Sequence, residues 1–146
     1  KRRIFSLSSI FASLSSSPDD DYMNDRKLFA IQCDTIRRIA EHESAVIVGR
    51  CSDYVLRDRE NTLNVFLTSP MDVRIERICS RHDLTREEAE RLIIEKDKIR
   101  EEYYNYYTFG NWGVASTYDL CIDSSRLGIE GTADYIIDFA RKAGLL

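Results

Sequence analysis

The residues of this chain best suited to handling a phosphate are arginines at recurring offsets. Arg50 directly follows Gly49 at the end of the apolar run Ala45-Val46-Ile47-Val48. A planar, permanently charged guanidinium at a strand's carboxyl end suits a phosphate, and it suits a nearby carboxylate equally well. Arg74, Arg77 and Arg81, three and four apart, form one cationic stripe on a helix. Such a row is ordinarily a solvated face. Asp97 and Arg100 sit one helical turn apart, the spacing of an intrahelical ion pair worth about 0.2–0.5 kcal/mol. Tyr103, Tyr104, Tyr106, Tyr107, Phe109 and Trp112 crowd one stretch, where they could stack on a base or simply pack on one another.

Composition narrows what these groups can serve. The 146 residues, 43% hydrophobic and 32% charged, fit one globular domain with a substantial core. A net charge of -4 provides no general basic field, so no nucleic-acid partner is expected and any anion site must be local. Cys33, Cys51, Cys79 and Cys121 are irregularly spaced with no C-x-x-C, and His42 and His82 are the only histidines, so no metal site is expected. Each cysteine lies in or beside an apolar segment, as buried reduced thiols of a cytoplasmic protein would. No stretch approaches the about 20 apolar residues of a membrane span, and no membrane partner is expected.

The elements that must position these side chains follow from periodicity. Ile4, Leu7, Phe11 and Leu14 share a helical face, which predicts an amphipathic helix followed by a polar linker, together residues 1–21. A second helix is predicted from Asn24 or Asp25, burying Phe29, Cys33, Ile36 and Ala40. Ala45–Val48 reads as a strand buried on both faces, and Leu63–Thr68 as another. Ser69-Pro70 signals a helix start, with the serine as cap, and that helix buries Met71, Ile75 and Ile78. Thr85 to Glu88 matches a capping box, and Ala89, Leu92, Ile93 and Ile99 mark the apolar positions of the helix it opens. Tyr118–Asp123 is a third strand, Ser124-Ser125 the turn after it, and the last helix carries Ile129, Ala133, Ile136, Ile137 and Ala140. The order predicts an α/β fold, a parallel sheet flanked by helices. Three strands make that sheet narrow, as though its amino-terminal side were incomplete.

The motif Val46-Ile47-Val48-Gly49-Arg50-Cys51-Ser52-Asp53-Tyr54-Val55-Leu56 comes first in a series. Val65-Phe66-Leu67 then runs toward Met71-Asp72-Val73-Arg74-Ile75-Glu76-Arg77. Asp97-Lys98-Ile99-Arg100-Glu101-Glu102-Tyr103-Tyr104 and Tyr118-Asp119-Leu120-Cys121-Ile122-Asp123-Ser124-Ser125 complete it. In this order the series resembles the cytidylate kinase-like family of P-loop nucleoside monophosphate kinases. The resemblance implies a P-loop kinase fold over residues 22–146, with a helical lid over about 80–113. It also implies transfer of the ATP γ-phosphoryl group to a nucleoside monophosphate of CMP type, with ATP and Mg2+ as cofactors. Arg50 would contact the acceptor phosphate, with Asp53 of the same motif also on the substrate side. Asp97 would hold the ribose, Arg100 the phosphates, and Arg74 and Arg77 would sit beside the mobile lid, near the transferred group. Arg91, Lys96 and Lys98 are further lid candidates. Where cytidylate kinases commonly place an acidic residue after Gly-Arg, this chain has Cys51.

The family also opens with a strand and a glycine-rich phosphate loop. Glycine occurs here at 49, 110, 113, 128, 131 and 144, with no G-x-x-x-x-G-K-[ST]. The chain alone is therefore expected to be inactive, and the missing segment to come from outside it, including from another copy of the chain. The alternative is a non-catalytic α/β interaction module that has kept the kinase fold.

Overall fold

The structure, a computed structural model, describes residues 3–5 and 18–146, with side chains from residue 25 onward. It divides into two compact units, Lys1–Arg59 and Glu60–Leu146.

In the first unit, β1 (Arg3–Phe5) pairs in parallel with β2 (Ala45–Ile47), Arg3 opposite Ala45 and Phe5 opposite Ile47. The helix α1 (Pro18–His42) lies between them in the chain. The strand at Arg3–Phe5 corrects the helix predicted from Ile4. Ile and Phe accept extended backbone readily once a partner edge is present. The rest of that predicted helix, to Leu14, and the start of the linker after it lie outside the described residues. The predicted linker also gives way: α1 starts at Pro18, ahead of Asn24. Proline at a first helical position and the acidic run Asp19–Asp21 both suit a helix amino terminus.

The buried stripe of α1 is the predicted one. Ile36 is fully enclosed and clusters with Cys33, Val55 and Leu56, against which Phe29, Ala40 and Ile47 pack. Strand β2 is less covered than its composition implies, since Val46 is 54% exposed and Val48, just beyond it, 63%. Three left-handed residues follow: Gly49, Arg50 and Cys51, with φ of 70°, 59° and 55°. They lead into the single turn α2 (Ser52–Val55), where Val55 N donates to Cys51 O at 2.9 Å.

In the second unit, β3 (Val65–Thr68) pairs in parallel with β4 (Leu120–Asp123), in register from Val65 opposite Leu120 to Thr68 opposite Asp123. The crossover is a helical hairpin, α3 (Met71–His82) and α4 (Arg86–Thr108). Ile75, Ala89 and Ile93 form its buried centre, with Ile78, Cys79 and Leu84 around them. The capping box at Thr85 and Glu88 is present in both directions, Thr85 N donating to Glu88 Oε2 at 2.9 Å and Glu88 N to Thr85 Oγ1 at 3.3 Å. At α3 the expected serine cap is absent. Pro70 occupies the cap position, and Ser69 Oγ is buried without a hydrogen-bond partner among the described residues. Met71 and Ile99, expected in the core, are exposed.

The described strands thus form two two-stranded parallel sheets, rather than the one three-stranded sheet the sequence suggested. The α/β class with parallel pairing holds.

The aromatic stretch is a packing cluster. Trp112 and Tyr118 meet Phe66 of β3 at centroid distances of 5.5 and 5.0 Å. Gly113 adopts a left-handed φ of 76°, and a Cβ added there would lie 3.2 Å from the Phe66 ring, so glycine suits the loop's close approach to β3. Tyr106 is 47% exposed and Phe109 projects furthest, 93% exposed. After β4, α5 (Ser124–Lys142) begins at once, with Asp123 accepting from Ser125 N at 2.8 Å, and is broken at Gly128 (φ 69°, ψ -176°).

Candidate functional site

The chemistry-bearing residues of the second unit collect between α3 and α4. Spacing of three and four puts Arg74, Arg77 and Arg81 on one face of α3. Arg74 and Arg77 on that face are half-buried, while Arg81 at its far end is exposed. The face lines a cavity of about 270 Å³ with Lys96 and Arg100 of α4 and the apolar side chains of Ile78, Leu92 and Ile93. Five cations thus surround one open cavity of an otherwise acidic protein, a local concentration of positive charge.

One carboxylate organises two of them. Arg74 makes a bidentate pair with Asp97, Nη1 to Oδ2 at 2.7 Å and Nη2 to Oδ1 at 2.8 Å, across the helical hairpin. Arg100 donates through Nη1 to the same Oδ1 from one turn along α4. Burial alone would raise the Asp97 pKa, but the hydrogen bonds and charges of Arg74 and Arg100 outweigh it and hold the carboxyl below its ordinary value. The Asp97–Arg100 spacing therefore gives the expected ion pair, and Arg74 adds a partner that no local pattern announces.

Arg77 is held differently. Its Nη1 donates to Ser124 Oγ at 2.9 Å and its Nη2 to the Ser124 carbonyl at 3.1 Å. Ser124 opens α5 at the carboxyl end of β4, the sheet edge where open parallel α/β folds bind ligands. Sequence reasoning took Ser124 only as a turn residue and Arg81 only as part of a stripe. The available signal was a hydroxyl directly after a strand. Of the three further lid candidates, Lys96 lines the cavity.

Arg50 and Asp53 belong to the first unit, around the left-handed turn between β2 and α2. Three consecutive residues at positive φ are costly for the two that are not glycine, about 1 kcal/mol or more each. Such strain persists where the surrounding fold dictates it, and here the Cys51 side chain is buried beneath the turn. Burial, then the neighbouring Asp53 charge, pushes the Cys51 thiol up to about 12, so it is neutral and unreactive at physiological pH.

Among the described residues no group of three or more His, Cys, Asp and Glu side chains could hold a metal ion. No helix among them is long and apolar enough to cross a membrane.

Comparison with known proteins gives a consistent picture. The sequence model of the cytidylate kinase-like family matches residues 2–126. The cytidylate kinase of Sulfolobus acidocaldarius is 28% identical over 133 residues, 90% of this chain and 70% of that one. That of Methanopyrus kandleri is 30% identical over 118 residues, 75% of this chain but only 57% of its own length. A crystal structure of an uncharacterized protein from Eubacterium ventriosum superposes with a TM-score of 0.75 at 32% identity, covering 82% of this chain and 76% of that chain.

Proposed function

This chain belongs to the cytidylate kinase-like family, and from that premise we propose that it is part of a P-loop kinase that phosphorylates a nucleoside monophosphate, CMP being the first candidate. The cavity between α3 and α4 carries the reading. Phosphoryl transfer requires little covalent chemistry from a protein; it requires the reactants held in line and the charge on the equatorial oxygens neutralised. Arg74, Arg77, Arg81, Lys96 and Arg100 around one cavity supply that kind of neutralisation.

Within the second unit we assign Arg100 to the acceptor phosphate and Arg74 and Arg77 to the transferred group. Within the first unit we assign Arg50, with Asp53 beside it in the motif, to the acceptor. ATP with Mg2+ would supply the phosphoryl group. The guanidinium groups suit its phosphates, while the described residues provide no carboxylate cluster for the metal. This sequence also contains no glycine-rich phosphate loop, so the chain alone should bind an acceptor without turning it over. The same absence favours the second reading, a non-catalytic module on a kinase scaffold.

Isothermal titration of the 146-residue chain with CMP, UMP, AMP and ATP, repeated with Arg50→Ala and Arg100→Ala, separates the two. The kinase reading expects one monophosphate to bind and both variants to weaken it at least tenfold, a loss of about 1.4 kcal/mol. A folded chain that binds none of the four nucleotides overturns it in favour of the module.

A further inference from the structure

Arg77 differs from the other cavity arginines in what grips it. Ser124 takes both ends of its fork, Nη1 at the hydroxyl (2.9 Å) and Nη2 at the main-chain carbonyl (3.1 Å). A serine hydroxyl has one proton to give and lone pairs to receive. Here the proton goes to the Thr68 carbonyl, 3.2 Å away, leaving the lone pairs for Arg77. Thr68 and Asp123 are register partners at the carboxyl ends of β3 and β4, and Ser124 follows Asp123 directly. The guanidinium is thereby tied to the ends of both strands at once.

The chemistry of this grip contrasts with that of Asp97. A carboxylate fixes Arg74 but offsets the charge that an incoming anion would use. The hydroxyl and carbonyl of Ser124 fix Arg77 and are neutral. The Asp123 carboxylate, which feels the Arg77 charge, accepts from Ser125 N. Arg77 is therefore placed at the cavity with its orientation set and its charge only remotely opposed.

We propose that Ser124 is a positioning residue for Arg77, fixing its guanidinium at the cavity for a phosphate-bearing ligand. This rests on the phosphate reading of the cavity made above. The role is indirect: Ser124 acts through Arg77 and touches no ligand itself.

Inorganic pyrophosphate, titrated calorimetrically into the full chain, is a suitable probe because it has no base or sugar. Five proteins are compared: wild type, Ser124→Ala, Ser124→Thr, Arg77→Ala and the Ser124→Ala/Arg77→Ala double variant, each checked for an unchanged melting transition. Ser124→Ala should weaken binding about fivefold, the scale of one lost hydrogen bond. Ser124→Thr, which keeps the hydroxyl, should restore it. With Arg77 already removed, Ser124→Ala should change nothing, the signature of two residues acting as one unit. Wild-type affinity in Ser124→Ala, or the same loss with and without Arg77, would overturn the positioning role. If wild type binds no pyrophosphate, or Arg77→Ala binds as wild type does, the phosphate reading of the cavity fails first and this proposal with it.

Discussion

Asp97 holds two arginines with one carboxylate, and that makes its ionisation a property of the fold. Its pKa in the folded chain lies below the ordinary value of 3.8, because the donors on Arg74 and Arg100 outweigh the penalty of burial. The folded state therefore favours the ionised form more than the unfolded state does. The stability this contributes is present in full above the unfolded value and is lost as pH falls through the lower folded one. Asp97→Asn should destabilise the chain at neutral pH by about 1–2 kcal/mol, since the pair is partly exposed and only partly screened. It should also flatten the acid limb of stability against pH. Urea denaturation at intervals from pH 7 down to the acid transition measures both. A variant matching wild type at pH 7, with an unchanged acid limb, would show that the ion pairs are energetically idle.

At the scale of elements, local patterns located helices and missed partners. The capping box at Thr85, the stripe of α1 and the Ile75–Ile93 centre of the hairpin were all legible, because each depends on neighbours within a turn or two. The strand at Arg3–Phe5 was not, because its extended form depends on β2, some forty residues on, while its own spacing reads as helix. Arg74 with Asp97 and Arg77 with Ser124, 23 and 47 residues apart, escaped for the same reason: tertiary placement chose the partner. Gly128 is a further case. Its φ of 69° and ψ of -176° fall in a region essentially restricted to glycine, although nothing crowds the place a Cβ would occupy. Gly128→Ala should therefore cost about 1–3 kcal/mol through backbone strain alone, in a site with ample space. Thermal unfolding measures it, and an unchanged melting temperature would mean that α5 straightens across the break at no cost.

For the whole molecule, the division into Lys1–Arg59 and Glu60–Leu146 separates two kinds of chemistry. The left-handed turn bearing Arg50 belongs to the first unit. Every residue lining the cationic cavity belongs to the second, as do both clamps, Asp97 on Arg74 and Ser124 on Arg77. The second unit also has its own buried centre in Ile75, Ala89 and Ile93 and its own strand pair. An anion that needs only the cavity should therefore need only the second unit. Residues 60–146 expressed alone are expected to fold and to bind inorganic pyrophosphate within about threefold of the full chain, a difference below 1 kcal/mol. Under the proposed assignment of Arg50 to the acceptor, Arg50→Ala in the full chain should leave pyrophosphate binding unchanged while weakening a nucleoside monophosphate. Circular dichroism establishes whether the shorter chain folds, and calorimetry whether it binds. A folded 60–146 segment that has lost pyrophosphate affinity would assign part of the anion site to the first unit, and a segment that does not fold would show that the second unit depends on the first for its stability.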